Sequence, residues 1–160
     1  WRLAFHTHVI FAAIALATGW LQFYTALRTR LPGLHKKLGK LYVVASLIGG
    51  FAAVYIAFFA TGGIVPATGF ICMAFIWLYS TIKGWRYIAQ RNINSHRQMM
   101  LLSYAVCFAG VTLRLELPVL ELITGNYELA YHIVAWLCWV PNVVVAWYIS
   151  EKYNDNTVLL

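Results

Sequence analysis

Residues 41–60 read LYVVASLIGGFAAVYIAFFA, a run without a single charge. A helix needs about 20 apolar residues to cross the ~30 Å hydrocarbon core of a bilayer, so this run by itself argues for a transmembrane helix. Its flanks agree. Residues 28–40, RTRLPGLHKKLGK, carry Arg28, Arg30, Lys36, Lys37 and Lys40 with no acid, and the run ends at Thr61-Gly62-Gly63 with Pro66 just beyond. Four more apolar stretches follow the same plan. Helices are expected at about 3–26, 38–60, 69–87, 97–117 and 127–149. Strands of a membrane β-barrel would be about 10 residues long with alternating polarity. These runs are longer and do not alternate.

Composition points the same way. The chain of 160 residues is 62% hydrophobic and 11% charged, against about half and about a quarter in soluble domains. A water-soluble fold of this size could not cover so much apolar surface, whereas a bilayer can serve as its solvent. The expected fold is all-α: an integral membrane bundle of five transmembrane helices forming one domain over residues 1–152, with a short tail at 153–160. The chain opens on Trp1, which reads as a start inside a longer precursor or after processing, and no signal peptide is readable there. Cys72, Cys107 and Cys138 lie far apart inside apolar stretches. They read as buried, inert thiols, with no metal-ligand or redox spacing.

Charge sets the expected orientation. The segment 28–40 holds five basic residues, and the segment 83–97 adds Lys83, Arg86, Arg91 and Arg97, again without an acid. The connection between the last two helices instead holds Glu116, Glu121 and Glu128. Basic loops stay in the cytoplasm, so the N-terminus is expected outside and the C-terminal tail cytoplasmic. The formal charge of +7 thus reads as a topogenic signal. It does not read as a nucleic-acid surface, because it sits in short loops beside the spans.

The breaks carry loop chemistry. Ser95 is the expected N-cap of the fourth helix. Pro118 and Thr124-Gly125-Asn126 separate the fourth from the fifth. Pro141 should free a carbonyl and kink the fifth helix, with Asn142 beside it. Asn142 and Gln22, polar within spans, read as links between helices or as the wall of a pocket. Ala45, Gly49, Ala53 and Ala57 form a small-residue stripe for close helix packing. Trp20, Tyr24, Trp85, Tyr87, Trp147 and Tyr148 read as an aromatic belt; Trp136 and Trp139 should pack deeper.

Several local patterns then look familiar. They are His8 with Ala15-Leu16-Ala17-Thr18-Gly19 and Gln22-Phe23; His35 with Leu38-Gly39-Lys40-Leu41-Tyr42; His96-Arg97-Gln98-Met99-Met100; Val111-Thr112-Leu113-Arg114; and Trp136-Leu137-Cys138-Trp139-Val140-Pro141-Asn142. In that order the chain resembles, over nearly its whole length, a bacterial family of multi-pass membrane proteins known as domain of unknown function 2306. The resemblance implies a bacterial inner-membrane protein and supplies no activity.

Ionisable residues within spans are costly and are candidate functional groups. In the outer half these are His6 and His8 on the first helix, His132 on the fifth, and Arg114 with Glu116 on the fourth. His8 and His132 lie at matched depth, so they could ligate a b-type haem iron, with Arg114 neutralising a propionate. A zinc site from His6, His8, His132 and Glu116 is a second reading, and polar packing of the helices is a third. At the inner face His35, Lys36, Lys37, Lys40, His96 and Arg97 form a cationic group. It suits anionic lipid headgroups, a phosphate or a quinone head, or it is plain topogenic charge.

Phosphate loops, nucleophile elbows and covalent-haem motifs are missing from the sequence. No acid lies mid-helix and no inverted repeat is evident, which argues against a proton-coupled transporter. The leading reading is a small cofactor-binding redox bundle with haem b or quinone as ligand. The alternative is a non-catalytic accessory subunit packed against a membrane protein partner.

Overall fold

The computed structural model describes the backbone of residues 1–158 and the side chains of residues 1–152. The described chain runs through α1 (Arg2–Gly19), a 3₁₀ turn (Trp20–Phe23), α2 (Thr25–Arg30), α3 (Pro32–Ala57), α4 (Ile64–Ala89), α5 (Ile93–Thr124), α6 (Tyr127–Leu137) and α7 (Val140–Val158). By length and composition four helical stretches suffice to cross a membrane: Arg2–Phe23, Pro32–Ala57, Ile64–Ala89 and Tyr127–Lys152. The longest helix, α5, is not among them; it carries Arg114, Glu116 and Glu121.

The boundaries move from the sequence expectation for local reasons. The first helix stops at Gly19 and tightens to 3₁₀ over Trp20–Phe23, and the rings of Tyr104 and Tyr42 lie close to Gly19. A Cβ at Gly19 would lie 2.5 Å from Tyr104 and 2.7 Å from Tyr42. The second long helix starts at Pro32, not 38: proline lacks an N–H, and at the first helical position none is needed. The cap of α5 is Asn92, not Ser95; Asn92 Oδ1 accepts from the Ser95 amide at 3.1 Å. Pro118 does not end α5, which continues to Thr124 and stops at Gly125, whose φ of 65° is left-handed. The last span is two helices, α6 and α7, rather than one with a kink. The expected tail 153–160 begins inside α7, and residues 159 and 160 lie outside the described residues.

Helix α1 packs on α3, α3 on α4, α4 on α5, and α5 touches α1 again, so these four close a ring. Helices α6 and α7 lie outside it, against α5, with α6 also on α4. Lipid offers helices no hydrophobic drive to associate, so close backbone approach and hydrogen bonds hold them. The α3 stripe does this: Ala45, Gly49, Ala53 and Ala57 are all buried, and the α1 backbone at Ala12 would stand 3.4 Å from a Cβ on Gly49. Gly69 does the same for α4, where a Cβ would lie 2.7 Å from the Ala135 carbonyl oxygen of α6.

Polar bonds lock the ring. Inside it Tyr42 Oη, Ser103 Oγ and Thr81 Oγ1 form a buried chain with both links 2.7 Å long. On the outer side Asn142 of α7 donates to Thr112 Oγ1 of α5 at 2.9 Å and to the Cys138 carbonyl at 3.0 Å, across the α6–α7 break. Trp139 is buried as expected, but Trp136 is 37% exposed. Cys107 and Cys138 are buried; Cys72 is exposed, contrary to expectation. Trp20, Tyr24, Trp85, Trp147 and Tyr148 are exposed toward the basic ends of their helices, as a belt requires.

Candidate functional site

Within the ring, toward the end that carries the α3–α4 and α5–α6 turns, α1, α3, α4 and α5 enclose a cavity of about 320 Å³. That is the small end of the range for ligand sites, ~300–1,000 Å³. Its wall is mostly small and apolar, with Ala12 and Ala13 from α1, Ala53 from α3, Ala74 from α4 and Gly110 from α5. Small side chains at facing positions leave the gap. Larger apolar groups, among them Leu16, Met73, Val106, Cys107 and the buried indole of Trp77, make up the rest.

Two side chains break the pattern, His8 and Arg114. His8 Nδ1 is 3.0 Å from the Gly49 carbonyl of α3. A carbonyl only accepts, so Nδ1 carries the hydrogen, and in the neutral ring Nε2 keeps a lone pair. The ring stands edge-on to Trp77, with centroids 6.4 Å apart and planes at 90°. Arg114 is exposed on one side and so forms the rim. One guanidinium nitrogen donates to the Gly110 carbonyl a turn earlier at 2.5 Å. The planar group has five N–H donors, so others are left for a ligand. Glu116, two residues on, does not bond Arg114; its Oε2 is buried without a hydrogen-bond partner.

The structure does not bring His132 to this cavity. Its Nδ1 donates to the Glu128 carbonyl at 2.6 Å on its own helix. Its ring lies against the turn between α3 and α4, where a Cβ on Gly62 would be 2.9 Å from His132 Cε1. Matched depth was the ground for pairing it with His8, but α6 lies outside the ring that holds the cavity. His6 is exposed, its Nδ1 bonded to the Arg2 carbonyl at 2.7 Å. Among the described residues no three His, Cys, Asp or Glu side chains gather to hold a metal ion. The zinc set of His6, His8, His132 and Glu116 is therefore not formed.

At the basic end, Lys36, Lys37, Lys40 and Arg97 are exposed, while His35 and His96 turn inward and are half-buried. Sequence reading missed Trp77 and the Gly49 carbonyl. Trp77 sits mid-helix, far from any aromatic belt, and that position was the available signal. Nothing in the sequence marks which carbonyl a histidine will meet.

The architecture defines a multi-pass helical membrane protein with a polar-tipped apolar cavity in its ring. The family described as "Predicted membrane protein (DUF2306)" matches residues 5–150, and the chain belongs to it. No curated protein and no solved structure matches the chain.

Proposed function

We propose that the protein lies in a bacterial inner membrane with five spans and its basic end in the cytoplasm, and that it binds the headgroup of a quinone-class molecule in the ring cavity. The observation that carries this is the convergence of His8 and Arg114 on a cavity otherwise lined by small apolar groups. A quinone headgroup is an apolar ring with oxygens at its edge. Its carbonyl accepts from the Arg114 guanidinium; in the reduced form its hydroxyl donates to His8 Nε2. The ring lies between the alanine walls and Trp77. One donor and one acceptor therefore serve both oxidation states. An apolar cavity opening among membrane helices also suits a ligand that arrives through lipid. Haem b is the other cofactor His8 could ligate, but with His132 elsewhere the paired-imidazole site has no second ligand.

A photoreactive quinone tests the reading. Light should attach it to peptides of α1, α4 and α5 that line the cavity, and excess plain quinone should compete. Losing a charge-assisted hydrogen bond in Arg114→Leu should cut labelling about tenfold. Labelling spread over lipid-facing residues such as Phe51 and Phe75, without competition, would defeat the proposal.

A further inference from the structure

The basic end gathers a second set of polar groups, from five segments of the chain. Gln22, in the 3₁₀ turn after α1, lies against α3: a Cβ at Gly39 would be 3.4 Å from its Oε1. His35 is one helical turn before Gly39 and shares that face. Arg28 of α2 and His96 of α5 are both within electrostatic reach of His35. His96 Nδ1 donates to the Gly84 carbonyl of α4 at 2.8 Å. His35 Nδ1 and Gln22 Nε2 are enclosed by protein and have no hydrogen-bond partner. A buried polar group left unpaired costs ~1–3 kcal/mol, so two of them on the same face of α3 ask for an occupant.

The sign of the surroundings says which occupant. Arg28 and Arg97 are cationic, burial holds His35 and His96 toward their neutral forms, and neither 20–40 nor 83–97 contains a carboxylate. A metal cation is repelled there and an oxyanion attracted. Helices α3 and α5 both begin at this end, and each histidine is the fourth residue of its helix. The positive ends of two long helix dipoles therefore add to the same field.

We infer that Gln22, Arg28 and His35, with the His96 ring beside them, form a site for a phosphate-type oxyanion at the membrane surface. The phosphate can be that of a lipid headgroup or free in solution. The exposed Lys36, Lys37, Lys40 and Arg97 draw the anion in without ligating it. The site lies at the other end of the bundle from the cavity and does not rest on the quinone reading.

The test uses the full chain purified in detergent and stripped of lipid. Retention of phosphatidylglycerol is measured by native mass spectrometry, and the shift of the melting midpoint is measured with inorganic phosphate. His35→Gln and Arg28→Gln should each weaken retention or the shift about tenfold, the cost of one charge-assisted bond. Lys37→Gln, which removes an equal surface charge, should change it less than about twofold. Retained phosphatidylglycerol with no phosphate shift assigns the site to a lipid; a phosphate shift assigns it to the soluble anion. Three results overturn the inference: an equal loss in Lys37→Gln and His35→Gln, stabilisation by zinc instead of phosphate, or neither ligand bound. A Gln variant that melts far below wild type without ligand is replaced by Gln22→Leu, which should lose binding likewise.

Discussion

At the scale of single residues, His8 and Arg114 carry the account, and both were legible because charge inside a span is rare and needs a reason. Their surroundings were less legible. Depth along a helix follows from counting residues, but the direction a side chain faces depends on which neighbour packs there. That is why His132, at the right depth, was paired with His8 although its helix lies outside the ring. His8→Ala should both empty the cavity site and remove the imidazole's bond to the Gly49 carbonyl, at a cost of about 1 kcal/mol in detergent melting. A melt equal to wild type would mean the 3.0 Å bond to Gly49 contributes nothing. Glycines make a sharper pair. Gly19→Ala drives a methyl into the Tyr104 and Tyr42 rings and should destabilise by ~1–3 kcal/mol. Gly33→Ala, with nothing within 4 Å, should be neutral or slightly stabilising. Equal effects in the two would contradict the packing described here.

At the scale of elements, the existence of each long helix was legible from its apolar run, and its ends were not. Prolines misled in two directions. Pro32 looked like loop but opens α3, and Pro118 looked like a stop but sits inside α5, where it leaves the Arg114 carbonyl without its helical donor. The break near Pro141 was foreseen as a kink, and Asn142 as a link between helices. The structure makes the break complete, and Asn142 links α7 to Thr112 of α5 while also bonding the Cys138 carbonyl. Asn142→Leu should therefore lower stability by about 1 kcal/mol, the usual worth of a polar link between membrane helices. Val144→Ala, two residues on at a position 55% exposed, should leave the melt near wild type. The opposite order would show that the α6–α7 break is held by apolar contact and not by the amide.

At the scale of the whole molecule, membrane residence and the all-helical class followed from composition. The closed ring of α1, α3, α4 and α5, and so the cavity, depends on contacts between segments far apart in sequence, which no run of apolar residues records. Orientation rests on the nine basic residues of segments 28–40 and 83–97. In a Cys72→Ser background, a cysteine at Asn126 should react with an impermeant thiol reagent in whole cells, and one at Asn94 should not. The reverse pattern would invert the protein.

The claim at the centre is that the ring cavity holds a quinone headgroup between His8 and Arg114. The most direct measurement is the quinone content of protein purified gently from its own membrane, extracted and quantified beside its visible spectrum. The account predicts stoichiometric quinone, no Soret band, and loss of the quinone in His8→Ala and Arg114→Leu proteins that still fold. A quinone-free wild-type protein, or one carrying haem in its place, would contradict it.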